Sequence, residues 1–169
     1  FARSIDDIAL HRDVLLGREP VAVPQTLPAP RIAFCRTHFW TLLDSSTQKL
    51  LEYAADRLRR SGATVVDLEL PKEFEEVCEA RGLVAGFEFA LNYTWEIENH
   101  WDKLSDTLRN GRIKDGQGCS YQQYVESRNM IEQARASMAK ILKDFDVVLT
   151  ACATGEAPIG FHTTGSSKP

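Results

Sequence analysis

The feature that most narrows the fold is a pair of short apolar runs separated by one amphipathic stretch. Arg31-Ile-Ala-Phe-Cys35 and Ala63-Thr-Val-Val-Asp-Leu-Glu-Leu70 are apolar, β-branched and bounded by turn signals, so both read as strands. Between them Leu50, Leu51, Ala54, Ala55 and Leu58 share one helical face, with Lys49, Glu52, Asp56 and Arg59 on the others. Asp44 or Ser45 offers an N-cap and Ser61-Gly62 a stop, which predicts a helix over 45–60. Strand, helix and strand within residues 31–70 make a βαβ unit. Its strands are expected to be parallel and its crossover right-handed.

The flanking segments extend this α/β reading. Residues 1–16 hold a helix: Ser4, Asp6 and Asp7 start it, Ile5, Ile8, Ala9, Leu15 and Leu16 form a stripe, and Gly17 ends it. Pro20, Pro24, Pro28 and Pro30 mark 17–30 as a linker. Residues 71–145 read as a helical section with breaks near Gly82 and Asn99. Gly82 and Gly86 lie one turn apart, where missing side chains let another backbone approach. Residues 109–119 read as a polar, Gly-rich loop, and Ser120-Tyr-Gln-Gln123 as a capping box. The helix after it carries Tyr124, Ile131, Ala134, Met138, Ile141, Leu142 and Phe145 on one face. Asp146-Val-Val-Leu-Thr150 is a third strand, and 151–169 a Gly/Ser/Thr/Pro tail. The expectation is one incomplete α/β domain over 1–169, with a parallel or mixed sheet (31–35, 63–70, 146–150) covered by helices.

Composition excludes several functions. Twenty Lys and Arg against 24 Asp and Glu give 20 − 24 = −4, with no block of like charge, so no nucleic-acid partner is expected. The longest apolar stretch, Leu83 to Ala90, contains Gly86 and Glu88 and falls far short of the roughly 20 residues that span a bilayer. Cys35, Cys78, Cys119 and Cys152 form no CxxC pair and lie beside no histidine at ligand spacing, so neither a metal site nor a cofactor is expected. Reduced thiols and the lack of a signal-peptide pattern suit a cytoplasmic protein.

Direct chemical motifs are few. Neither early strand leads into GxxxxGK[ST] or GxGxxG, and His11, His38, His100 and His162 make no HExxH. Glu88 stands within the most apolar stretch of the chain, which predicts a largely buried carboxylate held by backbone N–H groups or a cation in a structural role. Ser166 and Ser167 follow Gly165, but a serine nucleophile needs an adjacent base and ordered oxyanion donors, and a flexible tail supplies neither.

Taken in order, the segments resemble part of an amidase signature enzyme. Ala2-Arg-Ser-Ile-Asp-Asp-Ile-Ala-Leu10 is similar to the helix that follows the family's catalytic serine region. Pro30-Arg-Ile-Ala-Phe34 resembles the strand that opens its middle section. Asp146-Val-Val-Leu-Thr150, continued by Gly155-Glu-Ala-Pro158, resembles its late strand and loop, and Tyr124 sits where a tyrosine commonly opens the preceding helix. Ala151 and Thr154 replace prolines usual in that loop, and Ile131 stands where many members carry arginine.

The resemblance implies a hydrolase of carbon–nitrogen amide bonds acting on a small-molecule amide. It also implies that the Lys–Ser–Ser triad lies upstream of residue 1, that further strands follow Pro169, and that this chain alone is inactive. An amidotransferase subunit is an alternative parent. Thr150 and Cys152, at the end of the third strand where open α/β sheets bind ligands, are the substrate-pocket candidates, with Tyr124 from the helix before it. Cys152 also reads as a small core residue. The other reading of the whole chain is an autonomous, non-catalytic α/β binding or regulatory module. Sheet edge and helix faces left uncovered predict self-association.

Overall fold

The computed structural model describes residues 2–24 and 26–160. His162, Ser166, Ser167 and Lys168 lie outside the described residues. Contacts divide the chain into two compact units, residues 1–30 and 31–169, and each is described by itself.

The first unit is a single helix, α1 (Ile5–Leu15), and the extended chain after it. Ser4 caps it through the Asp7 N–H at 3.1 Å, and Gly17 leaves it at φ 62°, a left-handed conformation suited to glycine. The expected apolar stripe forms but is little covered within this unit: Ile5, Ile8, Leu15 and Leu16 are exposed, and Ala9 is buried. Asp13 is the residue that the chain wraps around. Its side chain, 2% exposed, accepts the Val21 N–H at 3.0 Å and the Arg12 Nε–H at 2.8 Å, which returns the linker to the helix.

The second unit is built on three parallel strands, β1 (Arg31–Cys35), β2 (Thr64–Leu68) and β3 (Val147–Leu149), in the order β2-β1-β3. The registers run Arg31↔Thr64 to Cys35↔Leu68 on one side and Ile32↔Val147 to Phe34↔Leu149 on the other. The β2 ladder is shorter than its apolar run because β1 offers only five positions to pair with, and β3 pairs at three of them. Asp146 locks the start of β3: its carboxylate accepts the Arg31 N–H at 2.7 Å, and its own N–H donates to the Arg31 carbonyl at 2.8 Å. Between β1 and β2 runs α2 (Ser45–Arg60), with Asp44 as its N-cap accepting the Thr47 N–H at 2.6 Å.

The segment 71–145 is helical, with two departures from the sequence pattern. First, α3 (Glu73–Asn92) passes through Gly82 unbroken; the chain breaks at Tyr93, continues as α4 (Thr94–Asn99), and turns again at His100. Second, 109–119 is not an open polar loop. After one turn, α5 (Asp106–Leu108), it winds as a π-helical segment over Arg109–Ile113, kinked at Gly111, and then as α6 (Lys114–Gln117). Ile113 and Gly116 anchor it, both buried. The capping box of Ser120 and Gln123 forms as expected and opens α7 (Tyr121–Ile141), which packs along α3.

Of the two glycines expected to admit another backbone, only Gly86 does so. Gly116 meets it there: a Cβ on Gly116 would overlap the Gly86 carbonyl oxygen and stand 2.6 Å from the Ala90 Cβ, whereas a Cβ on Gly82 would meet nothing within 4 Å. Gly116→Ala should therefore cost about 2 kcal/mol or more, because backbone has to move. Gly82→Ala should be neutral or stabilise by up to about 1 kcal/mol, as an ordinary helical exchange does. Urea midpoints of the two variants check this; equal effects would show that the glycine crossing is not the constraint.

The hydrogen bond from Val21, then that from Arg12, holds the Asp13 carboxyl below its ordinary value of 3.8. A lowered folded value stabilises above the ordinary range, and the contribution is lost as pH falls through the folded value. The Val21 amide proton resonance should accordingly shift with a midpoint below about 3.9 and show no such transition in Asp13→Asn. A midpoint at or above that value would show that the carboxylate does not hold the linker.

Candidate functional site

The chemistry-bearing side chains of the second unit gather in two places. One is the carboxyl end of the sheet, where β1, β2 and β3 all finish because they are parallel. Arg36, directly after β1, forms a fork there: Nε and Nη2 donate to the two Glu52 carboxylate oxygens at 2.7 and 2.9 Å, and Nη1 donates to Asp67 Oδ1 at 2.8 Å. Its guanidinium also lies 4.2 Å from the Phe34 ring centroid. With all three nitrogens engaged, Arg36 binds α2 and β2 to β1. Thr150 and Cys152, both exposed, begin the loop at the end of β3. Cys35 is different: burial pushes its thiol up, which leaves it protonated and inert.

The other place is the seam between α3 and the start of α7. Tyr124 faces α3 there and stacks on Phe87, with centroids 4.4 Å apart. Its hydroxyl donates to Glu88 Oε1 at 3.0 Å and accepts from Arg128 Nη1 at 3.2 Å. Arg128 lies one turn along α7 from Tyr124, and its nitrogen is 3.7 Å from Glu88. The Tyr124 oxygen, more than the Glu88 carboxylate, holds the guanidinium protonated above its already high ordinary value. Phe87 also lines a groove of about 310 Å³ with Ala90, Thr94, Ile97, Glu98 and Gly116.

Two of the sequence candidates thus meet, Tyr124 and Glu88. Thr150 and Cys152 make no hydrogen bond to either among the described residues. The burial expected of Glu88 needs correcting. Its side chain is 47% exposed, because α3 presents it along the α7 seam rather than beneath another layer. Its partners there are a phenol and a cation, and among the described residues no backbone N–H donates to it. Sequence reasoning passed over Arg128, although its i+4 spacing from Tyr124 was visible. Arg36 left no signal at all, since the residues that meet it lie 16 and 31 positions away. Among the described residues no three His, Cys, Asp or Glu side chains gather as a metal site. No described helix is long and apolar enough to cross a membrane.

Compared with known proteins, the chain matches the family model for Amidase over residues 1–166. It is 26% identical over 162 residues to 2-amino-5-chloromuconic acid deaminase from Comamonas testosteroni, an alignment that covers 92% of this chain and 34% of that protein. The chain spans about a third of the length of the curated relative that it matches.

A Tyr124→Phe exchange keeps the stack on Phe87 and removes the hydroxyl that joins Glu88 to Arg128. Together with Glu88→Gln it forms a double-mutant cycle, whose coupling should be about 0.5–1 kcal/mol for a half-exposed, charge-assisted bond. Additive effects on the urea midpoint would mean that the two side chains are neighbours without a functional bond.

Proposed function

The chain belongs to the amidase family, and on that premise we propose that it is a segment of a hydrolase of carbon–nitrogen amide bonds acting on a small molecule. The observation that carries this reading is the family match across nearly the whole chain together with strand ends arranged as in ligand-binding α/β sheets. The relative's name adds support, since a deaminase also cleaves a bond from carbon to nitrogen.

Amide hydrolysis by a serine needs a nucleophile activated by a base and N–H donors aimed at the developing oxyanion. In this reading the Lys–Ser–Ser triad lies upstream of residue 1. The segment itself contributes core packing and one wall of the pocket. Thr150 and Cys152 stand on that wall. Tyr124, fixed by Phe87, Glu88 and Arg128, orients the helix that leads into β3. Glu88 is a structural partner here, not a general base, because its carboxylate is already engaged by a phenol and a guanidinium. The exposure of Ile5, Val14 and Leu15 supports self-association of the isolated segment.

A serine-directed fluorophosphonate tests the division of labour. The 169-residue chain should gain no adduct mass and release no ammonia from benzamide, since losing nucleophile and base together costs about a millionfold in rate. The full-length protein that carries this segment should gain one adduct, on a serine outside these residues, and hydrolyse the amide. Stoichiometric labelling of Ser166 or Ser167 with turnover by the short chain would overturn the reading, and so would an unlabelled, inactive full-length protein.

A further inference from the structure

The loop after β3 makes no backbone hydrogen bond within itself among the described residues. Residues 150–157 contain no proline to fix a dihedral, and they include Gly155. Asp44, at the start of α2, meets this loop at three successive residues. Its backbone N–H donates to the Thr154 carbonyl at 2.8 Å. The Thr47 N–H first, and the Glu156 N–H to a lesser degree, hold its carboxyl below the ordinary value. Gly155 lies so close to Asp44 Oδ2 that a Cβ there would overlap the oxygen. The same carboxylate caps α2 through its other oxygen, Oδ1, which accepts the Thr47 N–H at 2.6 Å and the Ser46 hydroxyl at 2.8 Å. One side chain therefore caps α2 through Oδ1 and presses on the loop at Gly155 through Oδ2.

The place of this contact gives it functional meaning. Segment 36–44 leaves the carboxyl end of β1 for α2 and β2, while β3 pairs with β1 on its opposite side. The sheet order reverses its direction there, and ligands of open parallel sheets bind outside the carboxyl ends of the strands at such a point. Asp44 fastens together the two loops that border it. We propose that Asp44 is a positioning residue, which sets the backbone path of 150–156 and so the shape of the pocket wall that carries Thr150 and Cys152. The pocket part of this rests on the amide-hydrolase reading; the anchoring of the loop does not.

The two oxygens can be separated by substitution. Asp44→Asn keeps one oxygen to cap Thr47, and asparagine is as good an N-cap as aspartate, but it removes the negative charge and puts an NH₂ where Oδ2 faces Gly155. Peptide-resolved hydrogen exchange on the 169-residue chain should show 153–156 exchanging about tenfold faster in Asp44→Asn, with 45–50 unchanged, as the loss of one charged contact with the loop predicts. Asp44→Ala should loosen both segments, and Gly155→Ala the loop alone. Unchanged exchange at 153–156 in both Asp44→Asn and Gly155→Ala would overturn the anchor. In the full-length protein Asp44→Asn should raise KM for benzamide about tenfold with kcat within about twofold, the split expected of a residue that shapes binding. A fall confined to kcat would overturn the wall assignment. A wild-type full-length protein that leaves small amides intact would remove the hydrolase reading and the pocket with it, and the exchange result would still decide the anchor.

Discussion

The second unit depends on β1 being a central strand. Its inner residues Ile32, Ala33, Phe34 and Cys35 are buried, and its backbone is paired on both sides. A buried strand must place every N–H and C=O in a ladder, because an unpaired one costs as much as a lost hydrogen bond. That requirement calls up β2 on one side and β3 on the other. The two crossovers then run in opposite directions, and the right-handed rule assigns them to opposite faces of the sheet. The strand ends gather along one edge as a consequence, and that edge is where Arg36, Asp44 and the 150–156 loop meet the helices.

Charged groups at this edge are arranged for architecture. Arg36 spends its whole donor fork on Glu52 and Asp67 and rests against Phe34. A lysine could not reproduce this, since it lacks the planar fork that takes a carboxylate by both oxygens. Because the fork spans β1, α2 and β2, it fixes the position of α2 relative to the sheet. The N-terminus of α2 is thereby fixed as well, and Asp44 with it.

The helical section follows a different rule, close approach in place of charge. The Gly86–Gly116 crossing brings two backbones within reach of each other, so that the Gly116 N lies 3.2 Å from where a Gly86 Cβ would stand. Dispersion between well-packed atoms grows steeply at such distances, and glycine permits them. This contact, with Ile113, converts a stretch of polar sequence into ordered turns. Its composition had suggested a loop, because most of its polar residues face outward and Ile113, Gly116 and Cys119 are its buried residues.

Sequence alone determined the elements whose evidence is local. The parallel βαβ unit, the caps at Ser4, Asp44 and Ser120, the stops at Gly17 and Gly62 and the third strand were all legible, since each depends on residues within a few positions of one another. The amidase resemblance was legible for the same reason, in short motifs kept in order. Tertiary structure decided what depends on residues far apart in the chain. Whether Glu88 would be buried turned on where α7 lies, and the partners of Tyr124 and Arg36 are 36, 16 and 31 residues away. Burial of Asp13 within α1 and the choice of Gly86 over Gly82 likewise turned on what packs against a helix, which helical periodicity does not encode. A carboxylate reads the same in sequence whether it caps a helix, ties down a linker or anchors a loop. Only the distance to its partner in space tells these apart.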